Sequence, residues 1–174
     1  MRISVIIVAQ LFGILGMGFL FLMYQQKSRK ALLISKLSAD ICWVIHYLFL
    51  GAVSGIIPNA VGIFRELVFV NRNTKKWASS IMWPILFIIA NWCLGFKNFN
   101  IWYNLLPISA STCATISLWL DNPRLTKMLS VPISVSFLIY DVLVGSYIGI
   151  INEIISLSSF MVYFIRIKRY TSVK

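Results

Sequence analysis

The sequence predicts an all-α membrane protein: seven transmembrane helices, arranged as two parallel three-helix repeats joined by a linking helix, with the N-terminus outside and the C-terminus cytoplasmic. Three observations carry that expectation. Of the 174 residues, 59% are hydrophobic, above the roughly 45–50% of soluble domains. The Lys and Arg residues fall at alternate ends of the apolar runs. A shift of 94 positions lays the second hairpin of the chain onto its last one.

The apolar runs come first. Stretches such as 5–24, 81–96 and 129–151 carry almost no charge, and the mean hydropathy is +0.84. A hydrocarbon core about 30 Å thick takes roughly 20 such residues per helix. The predicted helices are about 3–24, 31–50, 54–71, 77–95, 99–119, 125–144 and 147–166. They are separated by QQKSRK, GAVSG, NRNTKK, GFKN, DNPR and GSYIG, which combine turn residues with charge. The first run reads as a span and not as a cleaved signal, being longer than a typical signal core and lacking a small-x-small site. No strand alternation of a β-barrel is present. Little sequence lies outside the spans, so residues 1–174 form one domain: repeat 1 about 3–72, the linking helix about 77–95, and repeat 2 about 98–168.

The charge distribution orients this arrangement. With the N-terminus outside, thirteen of the sixteen Lys and Arg residues fall in cytoplasmic segments: 26–30, 71–76, 121–127, the C-terminal tail, and Lys36 near a helix start. Arg2 and Lys97 fall outside, and Arg65 lies within a span. The positive-inside rule predicts such a bias. The net charge of +11 therefore points to anionic lipid headgroups and not to nucleic acid.

The repeat is read from the shift. HYLFLGAVSGIIPN lands on YDVLVGSYIGIINE, Gly51 on Gly145, Gly55 on Gly149 and Arg72 on Arg166. Both triplets start outside and end inside, and the linking helix supplies the crossing that permits this. Carriers with parallel repeats hold their substrate near midplane, between the repeats.

Polar groups inside the spans then become the candidates, because a charge at the bilayer centre costs roughly 3 kcal/mol or more. They are Asp40, His46, Arg65, Glu66, Asp141 and Glu153, with Asn59 and Asn152 as uncharged companions. Helical spacing puts Lys36, Asp40, Trp43 and Tyr47 on one face, and Gly55, Asn59, Gly62 and Glu66 on another. The shift carries these columns onto Ser130, Ser134, Phe137 and Asp141, and onto Gly149, Glu153, Ser156 and Phe160. Packed face to face, the columns line one pathway, with Tyr47 opposing Asp141 and Asn59 opposing Glu153. The substrate-binding candidates are Trp43, Tyr47, Asn59, Phe137, Asp141 and Glu153. Asp40, His46, Arg65 and Glu66 are candidates for ion or proton coupling. Simpler roles stand beside these: Arg65 and Lys36 snorkelling to the cytoplasmic interface, an Asp40–Arg65 ion pair, a wet Asp141, and His46 as a satisfied core histidine. Pro107 and Pro132 are candidate kinks, and Trp77, Trp83, Trp92 and Trp102 candidate interfacial anchors.

Enzyme signatures are missing: there is no HExxH, Walker or dinucleotide motif. One His and three dispersed cysteines suggest neither a metal centre nor a disulfide framework. The expectation is no enzyme, no cofactor and no metal.

QQKSRK, WVIHYLFLG (43–51), Asn59 and Gly62 resemble the triple-helix unit of SWEET, SemiSWEET and PQ-loop proteins, although the PQ dipeptide is absent. KSRKALLISKLSADICWVIHYLFLGAVSGIIPNAVGIFRELVF, together with NLLPISAS, resembles the bacterial inner-membrane YgjV family over nearly the whole chain. That resemblance implies a multi-pass protein of the bacterial inner (cytoplasmic) membrane. The SWEET-like one implies sugar contacts only for Trp43 and Asn59. The matching second-half positions hold Phe137 and Glu153, a departure from a neutral-sugar site. The expected function is alternating-access transport of a small polar solute, sugar-like or another small metabolite. The alternative is a non-transporting sensory, assembly or partner-binding subunit of the same fold. Single-unit relatives dimerise, so a homo-oligomer stays open.

Overall fold

The computed structural model describes residues 3–172; Arg2 and Lys174, counted above in the charge bias, lie outside them. Seven α-helices follow in order: α1 (Ile3–Gln25), α2 (Arg29–Leu50), α3 (Val53–Phe69), α4 (Met82–Lys97), α5 (Leu106–Leu120), α6 (Pro123–Val144) and α7 (Tyr147–Ser172). No strand occurs among the described residues. Four helices are long and apolar enough to cross a membrane: α1, α2, α6 from Arg124 and α7 as far as Ile165. Helices α3, α4 and α5 have 17, 16 and 15 residues, about 23–26 Å at the usual rise.

The ends have local causes. Ser28 caps α2 by accepting from the Ala31 amide at 3.2 Å. Asn122 caps α6 by accepting from the amides of Arg124 and Leu125 at 3.0 and 3.3 Å. Such side chains satisfy amides that lack a partner in a helix's first turn. Gly51 and Gly145, 94 positions apart, end α2 and α6 in the left-handed region at φ 69° and 73°, where a Cβ is strained.

Two helices begin later than the sequence suggests. Helix α4 starts at Met82 and not near 77, after a 3-10 turn over Lys76–Ser79. Helix α5 starts at Leu106 and not near 99, after a 3-10 turn over Trp102–Leu105. In each, a proline (Pro84 or Pro107) occupies the first turn. There its missing N–H costs nothing, while its ring disfavours helix upstream. Pro107 is therefore a helix start and not a kink. Pro58 and Pro132 lie inside α3 and α6.

Packing joins neighbours into a closed circuit. α1 packs on α2, α2 on α3, α3 on α5, α5 on α6, α6 on α7, and α7 back on α1, while α4 lies against α3 and α5. One buried cluster, Leu33, Val61, Val68, Phe69, Phe87 and Trp119, ties α2 through α5 together at one end. The other, Ala39, Trp43, Tyr47, Ala52 and Tyr140, joins α2 to α6 across the middle. The outward faces carry exposed Ile, Leu, Phe and Val along α1, α4, α6 and α7, the composition that hydrocarbon requires.

Candidate functional site

Four of the chain's five acidic residues, Asp40, Glu66, Asp141 and Glu153, are buried. Asp40 and Glu66 fall in one group and Asp141 in another, with Glu153 on the wall of a cavity between them.

The first group holds charges together. Lys36 pairs with Asp40 one turn along α2, the i,i+4 spacing that places side chains over one another. Arg65 is 2% exposed and grips Glu66 with two contacts, Nη2 to Oε1 at 2.9 Å and Nε to Oε2 at 3.3 Å. Its Nη1 donates to Thr115 Oγ1 at 2.9 Å and to Ser111 Oγ at 3.4 Å on α5. Asn91 on α4 donates to the same Ser111 hydroxyl at 3.1 Å. Arg65 Nη2 lies 3.9 Å from Asp40 Oδ2, so the anticipated Asp40–Arg65 pair is present but long. Arg65 does not snorkel: its fork points inward, where two hydroxyls and a carboxylate replace water.

The second group closes the opposite end. Tyr47 donates to Asp141 at 2.7 Å, between positions 94 apart, as the columns anticipate. Tyr140 donates nothing to Asp141; its hydroxyl accepts from the Gly55 amide at 2.9 Å, at the start of α3. His46 reaches Ser146, just before α7, at 2.8 Å, and the Ala9 carbonyl at 2.7 Å. Asp141 is 1% exposed, so it is not wet. His46 is a satisfied buried histidine. Close approach depends on two glycines. A Cβ at Gly55 would stand 2.8–2.9 Å from the Tyr47 ring, and one at Gly149 would collide with Asp141 Oδ2 and Ser146 Oγ.

Between the groups lies a cavity of about 170 Å³, near the size that accepts a six-membered ring in other proteins. It is lined by Lys36, Asp40, Trp43 and Tyr47 from α2, Asn59 and Arg65 from α3, Ser130, Ser134, Phe137 and Asp141 from α6, and Glu153 and Ser156 from α7. The columns read from helical spacing on α2 and α6 thus line it in full. On α3 and α7 the agreement is partial: Asn59, Glu153 and Ser156 line it, whereas Glu66 is drawn away to Arg65 and Gly149 packs on Asp141. His46 of α2 sits in the closure. Asn59 and Glu153 both line the cavity but share no hydrogen bond; Asn59 donates to the Gly55 carbonyl at 2.8 Å, and Glu153 accepts from Asn152 at 2.8 Å. Asp40 occupies the middle of α2, about 15 Å from either end. The lining reaches Leu118, Thr126 and Tyr24 (67% exposed) at the end that carries the QQKSRK and DNPR loops. A second hollow continues sideways from there, between α1, α6 and α7.

Several participants escape the column reading: Asn91, Ser111, Thr115, Tyr140 and Ser146. Asn91 is a lone polar residue in WPILFIIANWCLGF, and Ser111 and Thr115 stand four apart in STCAT, so both carried a signal. The Trp residues divide. Trp77 and Trp102 are exposed, whereas Trp83 stacks on Phe87 at 5.9 Å and Trp92 donates to Thr112 at 3.1 Å. No group of three His, Cys, Asp or Glu side chains able to hold a metal occurs among the described residues.

A family model described as bacterial inner membrane protein, Imp-YgjV, matches residues 7–171, a span that contains every cavity-lining residue. The chain belongs to that family. It is accordingly a multi-pass protein of the bacterial inner membrane, its exposed apolar faces in contact with lipid. Comparison with curated proteins and with solved structures finds no match.

Proposed function

We propose that this inner-membrane protein carries a small polar solute across the bilayer by alternating access between two three-helix halves, α1–α3 and α5–α7, linked by α4. The observation that carries the reading is the cavity. It lies at mid-depth, is lined by Asn59, Asp40, Glu153 and aromatic rings, reaches toward one end, and is shut at the other by Tyr47–Asp141. A binding site between halves that can rock is what parallel-repeat carriers use.

Further support comes from contacts that the 94-position shift relates to one another. Tyr47 meets its counterpart Asp141, as residues on a pseudo-twofold axis would. Asp40 packs on Gly62, and their counterparts Ser134 and Ser156 share a hydrogen bond of 2.9 Å. His46 of α2 reaches the start of α7, and Tyr140 of α6 the start of α3. In this reading all seven helices cross, the N-terminus is outside, and the basic loops face the cytoplasm. The conformation is then open inward and sealed outward. Trp43, Tyr47, Asn59, Phe137, Asp141 and Glu153 would contact the solute. One chain supplies both halves, so a monomer is sufficient.

The competing reading is a non-transporting subunit. It is favoured by Lys36, Asp40, Arg65 and Glu66, which hold one another in a paired arrangement. Counterflow in proteoliposomes decides between them, using radiolabelled sugars, amino acids, nucleosides, polyamines and organic acids. One solute class exchanging through the parent and not through Asn59→Ala upholds transport. No exchange of any class, with Asn59→Ala melting like the parent, leaves the subunit reading.

A further inference from the structure

The cavity's charges do not cancel. Lys36 and Arg65 are the cations at its wall, against the carboxyls of Asp40, Asp141 and Glu153, with Glu66 behind Arg65. Arg65 is committed to Glu66 and Lys36 to Asp40, and neither Asp141 nor Glu153 forms a salt bridge among the described residues. Their partners are neutral donors: Tyr47 for Asp141, Asn152 for Glu153. This occurs in a chain of net charge +11, so the local excess of acid runs against the composition.

Both carboxyls belong to the one cavity wall. Asp141 Oδ2 packs on the bare backbone of Gly149, and Glu153 stands one turn further along the same face of α7. Asp40 also lines the cavity: it is fully buried, and its Oδ2, packed on Gly62, has no hydrogen-bond partner. Trp43, Tyr47 and Phe137 supply aromatic walls at the same level. Carboxylates backed by aromatic faces are the environment that holds a desolvated ammonium or guanidinium. Unpaired carboxylates in hydrocarbon are otherwise costly.

Resting on the transport reading above, we propose that the solute is cationic: a small metabolite bearing a primary amine or guanidinium, its charge received by Glu153 and Asp141 and its apolar part against Trp43 and Phe137. Glu153, the acid among the matching positions Asn59 and Glu153, is the determinant of charge selection.

The test is a thermal-shift comparison on the purified full chain in detergent, with putrescine, agmatine and lysine against glucose and glutamate, beside Glu153→Gln and Asp141→Asn. A ligand of the folded state raises the melting temperature by mass action, by several degrees when well above its Kd. The expected result is a rise with at least one of the three cations and none with glucose or glutamate. Glu153→Gln is expected to lose that rise while melting at or above the parental temperature. A rise with glucose or glutamate alone overturns the cationic assignment and leaves the transport reading in place. A cation-induced rise that survives in both variants overturns the placement at Glu153 and Asp141. No rise with any probe, together with failed counterflow, overturns both.

Discussion

Arg65 is fully inside the protein, and removing its charge while leaving its stem is the sharpest test of the packing described above. Arg65→Met keeps an unbranched apolar side chain of similar reach between α3 and α5. It strips Glu66 of both contacts, at 2.9 and 3.3 Å, and leaves a 1% exposed carboxylate with no cation. It also frees the hydroxyls of Ser111 and Thr115 and removes the more distant cation from Asp40. Breaking a buried pair from one side costs about 3–5 kcal/mol. A chain of this size loses roughly 2–4 °C per kcal/mol, so the melting temperature should fall by roughly 6–20 °C. The double variant Arg65→Met with Glu66→Gln removes the orphaned charge as well, so it should recover much of the loss. Intrinsic-fluorescence melting of the four members of this cycle in one detergent gives the coupling directly. A fall below 2 °C for Arg65→Met, or a double variant whose loss is the sum of the singles, would refute the buried-pair account.

Two further substitutions probe the closed end. Tyr47→Phe deletes the hydroxyl that donates to Asp141 at 2.7 Å and leaves a buried acceptor without it, a cost of about 1–3 kcal/mol. The melting temperature should fall, and a cysteine placed at Ser54, also buried at this end, should label faster with a membrane-impermeant maleimide. Unchanged stability and labelling would remove Tyr47–Asp141 as the seal. Gly55→Ala places a Cβ 2.8–2.9 Å from the Tyr47 ring. The ring is held by Asp141 and cannot swing aside freely, so overpacking of about 1–3 kcal/mol is expected. Gly18→Ala, where a Cβ meets nothing, is the matched control, and equal melting of the two would refute the close approach.

Much of the site is legible because helical geometry projects it. Once 29–50 and 123–144 are helices, steps of three and four put Lys36, Asp40, Trp43 and Tyr47 on one face and Ser130, Ser134, Phe137 and Asp141 on another. Both faces line the cavity. Periodicity fails where a long side chain can reach around its helix. Glu66 belongs by spacing to the Asn59 column, yet the neighbouring Arg65 captures it. Arg65 looked free to extend toward the interface, but Ser111 and Thr115 on α5 hold its fork in the interior. Boundaries failed at α4 and α5 for a related reason. Large apolar and aromatic residues recur across 77–81 and 99–105 (Trp77, Ile81, Phe99, Ile101, Leu105), while Pro84 and Pro107 set where helix can begin.

The sequence by itself determined the membrane setting, the helix order and the polar faces. Those follow from transfer free energy and the 3.6-residue turn, which act within one segment. Only the tertiary structure decided which charges neutralise one another. Lys36 chose Asp40, Arg65 chose Glu66, and Asp141 and Glu153 kept uncharged donors. Pairing depends on distances of a few ångströms between helices far apart in the chain. In a low-dielectric interior those distances set which charges are compensated, and periodicity within a helix carries no record of them.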